Sequence, residues 1–191
     1  MNKNEIMYVK KYYEKLCGLC DLLDENKLWD TPEFEGVHLR DIFRHNLAEY
    51  LLYLSASDNT ITDEESAMYN EVTGFNGDKN KMISYINDND IYSARFESEV
   101  PLIFRLIKEC EKNELLQEHP LSINMNKSYS ELFADFFLLA SNVFIEVDDE
   151  VAVPEMEDSN IYLNTIKKYI LKNTNSIEEY HSMIDSLVIG C

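Results

Sequence analysis

Glycine and proline are scarce in this sequence, 5 and 4 of 191 residues. Sandwiches, barrels and glycine-rich nucleotide folds need many tight turns, which this composition does not provide. Basic residues are also few. Lys and Arg number 17 against 36 Asp and Glu, a formal charge of −19. That balance repels phosphate backbones and anionic lipid headgroups, so neither nucleic acid nor a membrane surface is an expected partner. Long apolar runs are missing too. The richest stretch, Phe133 to Phe144, is interrupted by Asp135 and falls short of the roughly 18–20 residues of a membrane span. The opening Met1-Asn2-Lys3-Asn4-Glu5 has no apolar signal-peptide core. A cytoplasmic location with reduced thiols is the resulting expectation.

Catalytic signatures are absent as well. The chain contains no H-E-x-x-H, G-x-S-x-G, P-loop or G-x-G-x-x-G. Glu178 and His181 form half of a di-iron motif, without the second copy and facing glutamates such a site needs. Cys17 and Cys20 make a C-x-x-C, but no second close pair completes a zinc ribbon. They stand among Leu16, Leu19 and Leu23 on a helical pattern, which suits small buried core residues. The expectation is a protein that is not an enzyme.

What the sequence has is apolar residues, 45%, at helical spacing. Met7, Val9, Tyr13, Leu16, Cys20 and Leu23 predict a first helix from Ile6 to Leu23. Leu39, Ile42, Phe43, Leu47, Tyr50, Leu51 and Leu54 predict a longer one from about Val37 to Ser57. Thr62-Asp63-Glu64-Glu65 reads as a capping box, opening a helix that ends near Gly74. Short helices are expected around Met82 to Ile86 and from Pro101 to Cys110, with a polar loop from Asn87 to Arg95 between them. Ser128 opens a helix that buries Tyr129, Leu132, Phe133, Phe136, Phe137 and Ala140, and Ile161, Leu163, Ile166, Tyr169 and Ile170 mark another. Ser176 caps a last helix. The fold class is therefore all-α, a single domain over 1–191 with about seven to nine helices.

Shifting the chain by 86 positions exposes an internal echo. Phe43 falls on Tyr129, Leu47 on Phe133, Tyr50 on Phe136, Leu51 on Phe137 and Ser55 on Ser141, and Asp63 and Glu64 on Asp149 and Glu150. Each copy is an apolar helix, a short acidic break and a carboxylate-rich helix start. Two pseudo-symmetric helix–loop–helix units, each burying the other's apolar face, are expected.

The stretch from Leu51 through Asp58, Ile61 and Glu65 resembles the signature of the TerB-like (tellurite-resistance) family: a small-residue helix end, then Asp-Gly-x-Ile/Val-Ser/Thr-x-x-Glu. The resemblance covers about 37–173, leaving helices at 5–24 and 176–189 as additions. Asn59 replaces the family glycine. In the second unit Phe144 and Val151 replace the Asp and Glu, so only the first keeps both acidic positions. The resemblance implies a non-catalytic stress-response or tellurite-resistance protein that binds a divalent cation, Ca²⁺ or Mg²⁺, at its acidic loop. The metal residues implied here are Asp58, Thr60, Asp63 and Glu65.

The same carboxylates have a local explanation, as an Asx-turn and a helix cap at the positive end of a dipole. His38, Asp41, His45 and Glu49 share one helical stripe, which suits either a transition metal or a solvated face. Tyr8, Tyr12, Tyr13, Tyr85 and Tyr92 beside acidic residues suit a recognition surface. An acidic immunity or inhibitor protein that binds a basic protein partner is accordingly the alternative to the TerB-like reading.

Overall fold

The computed structural model describes residues 3–26, 36–57, 60–89, 91, 99–111, 127–147 and 153–172. Within them the chain forms seven α-helices and no strand: α1 Lys3–Glu25, α2 Leu39–Ala56, α3 Asp63–Thr73, α4 Lys79–Asp88, α5 Leu102–Cys110, α6 Tyr129–Ile145 and α7 Val153–Lys172. The all-α expectation is met. Asp58, Trp29 and the helix expected after Ser176 lie outside the described residues.

α2 is the centre of the assembly. It packs against each of the other six described helices, and 13 of its 18 residues are buried. α6 crosses it through rings. Phe43 meets Phe133 edge-on at 4.8 Å and Phe136 at 5.5 Å. Farther along, Tyr50 stacks on Tyr162 of α7 at 4.4 Å and 11°, and on Phe137 at 5.4 Å. The buried Tyr50 hydroxyl shares a 2.9 Å hydrogen bond with Ser159, which removes the penalty of an unpaired phenol in the core. α1 closes this cluster from the side: Tyr13 packs on Phe43 at 5.1 Å, and Tyr12 donates to the Leu132 carbonyl.

Helix starts bring unsatisfied N–H groups into this core, and side chains from elsewhere in the chain accept from them. Both carboxylate oxygens of Asp24, at the end of α1, accept from Leu39 N–H at the start of α2, 3.1 and 3.2 Å away. The buried Asn46 carbonyl of α2 accepts from Ile103 N–H of α5 at 2.9 Å. Glu111, just past α5, accepts from Ser130 N–H of α6 and pairs with the buried Lys108. Ser128 and Glu131 add a capping box of their own. Pro101 precedes the first residue of α5, and Pro154 lies in the first turn of α7, where its missing N–H costs nothing.

Two residues expected on inner faces point outward: Met7 is 49% and Ile161 42% exposed. Each stands next to the residue that does turn inward, Ile6 and Tyr162. With adjacent apolar residues at 100° separation, periodicity alone admits either. The stretch expected as a polar loop from Asn87 opens as helix, because α4 continues to Asp88. Ile91 beyond it is fully buried, its N–H donating to the Ile86 carbonyl.

Cys17, Cys20 and Cys110 are buried free thiols, as expected of small core residues. Burial pushes all three up, Cys110 to about 12. Burial likewise pushes the Tyr50 phenol up to about 12. Unfolded thiols ionise from roughly pH 8.5, whereas the folded chain keeps these protons. The stability from these groups is complete below that pH and declines as pH rises toward the folded values. The melting midpoint should therefore stay level between about pH 7 and 8 and fall from about pH 9 upward, less steeply in Cys110→Ala. A midpoint unchanged to about pH 10 would contradict the buried-thiol account.

Candidate functional site

The acidic corner forms as the sequence predicts, and its geometry is that of a helix start. The Thr62 hydroxyl accepts from Glu65 N–H at 3.1 Å, and the Glu65 carboxylate accepts from Thr62 N–H at 2.6 Å. Glu65 is buried, whereas Asp63 is exposed and pairs with Lys79 at 3.1 Å. Thr60 is exposed, and Asp58 lies outside the described residues. Glu65 and Asp63 thus turn toward different partners, and among the described residues no cluster of three His, Cys, Asp or Glu side chains is placed to hold a metal.

The histidine stripe of α2 divides in the same way. His38 precedes the helix and lies 3.6 Å from Asp24. Asp41 pairs with Arg44, and His45 approaches Glu49 at 3.5 Å. The first of these links the start of α2 to α1, and the other two are separate local pairs along α2.

His45 and Glu49 line a feature that the sequence does not reveal. A groove with a cavity volume of about 340 Å³ lies between α2, α3 and α4, at the small end of ligand sites. Ala48 and Leu52 of α2 and Tyr69 of α3 line it. Phe75 and Gly77 of the turn and Lys81, Met82 and Tyr85 of α4 complete its lining. Phe75 and Tyr85 are each 36% exposed at its mouth. Glu49 is mostly covered, its side chain 18% exposed.

The groove exists because the turn between α3 and α4 is held rigidly. Thr73 and Gly74 end α3, with Gly74 in the left-handed conformation at φ 71°. The Asn70 side chain then clamps the Gly77 peptide from both sides. Its amide donates to the Gly77 carbonyl at 2.7 Å, and its carbonyl accepts from Gly77 N–H at 2.8 Å. Ser66 donates to the same carbonyl at 3.1 Å. A Cβ on Gly77 would stand 3.3 Å from Met82 Cγ, so glycine permits the close seating of α4. Asp78 then caps α4 by accepting from Lys81 N–H, and that hydrogen bond holds its carboxyl below the usual range. An Asn-Gly-Asp turn is legible in the sequence; the clamp from one helix turn upstream is not.

A second cleft of about 360 Å³ runs between α1, α2 and α3. Its cations are locally neutralised: Lys10 pairs with Glu71, Arg40 with Asp21 and Arg44 with Asp41. Tyr13 and Cys17 stand on its wall, and burial pushes both up.

Removing the clamp should destabilise the chain without unfolding it. Asn70→Ala leaves a peptide N–H without its partner and is expected to cost roughly 1–2 kcal/mol in urea unfolding. A cost near zero would mean that the turn holds itself. Compared with known family models, curated proteins and solved structures, the chain matches none.

Proposed function

We propose that this chain is a non-catalytic binding protein of TerB-like type, built from two pseudo-symmetric helix–loop–helix units and acting by association with a protein partner. The observation that carries the reading is the correspondence between α2 and α6 at the 86-residue shift. Ser55 and Ser141, matched by that shift, are both fully buried, although their acceptors differ in register: Ser55 donates four residues back, to Leu51, and Ser141 three residues back, to Leu138. Leu47 and Phe133, also equivalent, are both core residues. A stress-response or tellurite-resistance role is what the resemblance adds.

The alternative reading, an acidic inhibitor of a basic protein, draws on the −19 charge. Both readings require association, and the charge selects a cationic counterpart and speeds its encounter. Capture from native lysate should retain a basic protein at low salt and release it at high salt. Capture that is indifferent to salt would remove the electrostatic element, and absence of any captured protein would remove association as the function.

The divalent cation implied at Asp58, Thr60, Asp63 and Glu65 is tested separately by thermal melting in Ca²⁺, Mg²⁺ or chelator. A ligand that binds only the folded chain raises the midpoint. A rise that disappears in Asp58→Asn places an ion at the loop, and a constant midpoint leaves Glu65 as a helix cap alone.

A further inference from the structure

Asn76-Gly77 is the one Asn-Gly step in the sequence. The pairing is chemically labile, because a residue without a Cβ leaves its backbone nitrogen free to approach the preceding side chain. The glycine nitrogen, its proton lost to solvent, bonds to the asparagine side-chain carbonyl carbon. The amide nitrogen departs, takes up a proton and leaves as ammonia, and a cyclic imide remains. Water then opens the imide at either carbonyl, giving aspartate or isoaspartate. No oxidant or reductant takes part, and asparagine is for this reason a thermolabile residue.

Two features of the turn bear on that reaction, and they act in opposite directions. Asn76 is exposed, so water and base reach its side chain. The nitrogen that must attack is held elsewhere: Gly77 N–H donates to the Asn70 side-chain carbonyl at 2.8 Å. The next peptide plane is fixed as well, since the Gly77 carbonyl accepts from the Asn70 amide at 2.7 Å and from Ser66 at 3.1 Å. Asn70 and Ser66 belong to α3, and Asp78 ties the following residue to the start of α4. The Asn76–Gly77 peptide plane therefore cannot turn toward the Asn76 side chain without breaking the bond to Asn70.

We propose that Asn76 is a site of spontaneous deamidation that the folded chain holds shut through the Asn70 clamp on Gly77. Local opening of the turn frees the nitrogen, and conversion proceeds at a rate set by the population of that open state. The two products leave different turns behind. Aspartate adds a charge near the positive end of α4, where a carboxylate is tolerated. Isoaspartate adds a methylene to the main chain, so Gly77 and Asn70 no longer meet in register and the close seat of Met82 on Gly77 is lost. Conversion is a one-way loosening of α4 and is independent of any binding partner.

The test is ageing of the folded full-length chain in warm, mildly alkaline buffer. Peptide mapping follows Asn76 by the mass gained when NH₂ becomes OH, with isoaspartate separated chromatographically. The same chain in guanidinium chloride supplies the rate with the turn open, and the folded chain is expected to convert more than about tenfold more slowly. Asn70→Ala should speed conversion of the folded chain about five- to thirtyfold, the population change that follows loss of the clamp. Ser66→Ala removes only one bond to the Gly77 carbonyl and should speed it about two- to fivefold. Ile170→Val weakens the core of α7 by one methyl without touching the turn, and should change the rate less than about twofold. The amide spectrum of each variant shows directly that it is folded. Equal acceleration in Asn70→Ala, Ser66→Ala and Ile170→Val would assign the protection to global stability and overturn the clamp as its source. Conversion in the folded chain as fast as in guanidinium chloride would overturn the protection itself, and an Asn76 that stays intact in guanidinium chloride would overturn the site.

Discussion

Phe43 of α2 touches Phe133, Phe136 and Phe137 of α6, and Tyr13 of α1 lies against its remaining side. This crossing of two apolar helices is the constraint from which the rest of the arrangement follows. It commits one face of α2 to α6 and turns the other toward α3 and α4. Ring pairs at these distances add directional preference to the burial of large apolar area, so the crossing is set in angle as well as in distance. The Tyr50–Tyr162 stack repeats the device one helix farther on and docks α7.

Around that crossing, polar groups serve the backbone. Asp24, Asn46 and Glu111 each accept from the first turn of a helix other than their own. A buried helix start without an acceptor is costly, so these contacts determine where α2, α5 and α6 begin in space as well as in sequence. The acidic composition thus has a structural share. Some of its carboxylates are helix caps supplied from a distance, and Glu65 and Glu131 are caps supplied locally.

Much of the helical framework was legible because it depends on neighbours in the chain. The 3.6-residue period of Leu39 to Leu54 marks the buried stripe of α2, and Thr62 with Glu65 marks the start of α3 from four consecutive residues. Gly74 marks its end through a conformation that glycine adopts readily. Met7 and Ile161 were misplaced because each adjoins a second apolar residue, and the choice between them is made by α6 and the core, not by the local pattern. The groove was not legible at all. Ala48 and Leu52 look like ordinary core positions, and only the Asn70 clamp on Gly77 brings Met82 and Tyr85 across from them. The acidic corner was legible as chemistry but not as geometry, since the Asp63 partner, Lys79, comes from the next helix.

The ring-to-ring contact between α2 and α6 is best tested by a double-mutant cycle in urea unfolding, with Phe43→Leu, Phe133→Leu and the pair. Leucine keeps the apolar character and removes the ring, so the coupling isolates the aromatic contact from the burial that surrounds it. The account predicts a coupling of about 0.5–1.5 kcal/mol, each single change costing more than the second change costs once the first is made. Strictly additive losses would mean that the two rings do not meet, and that the crossing on which this fold is built lies elsewhere.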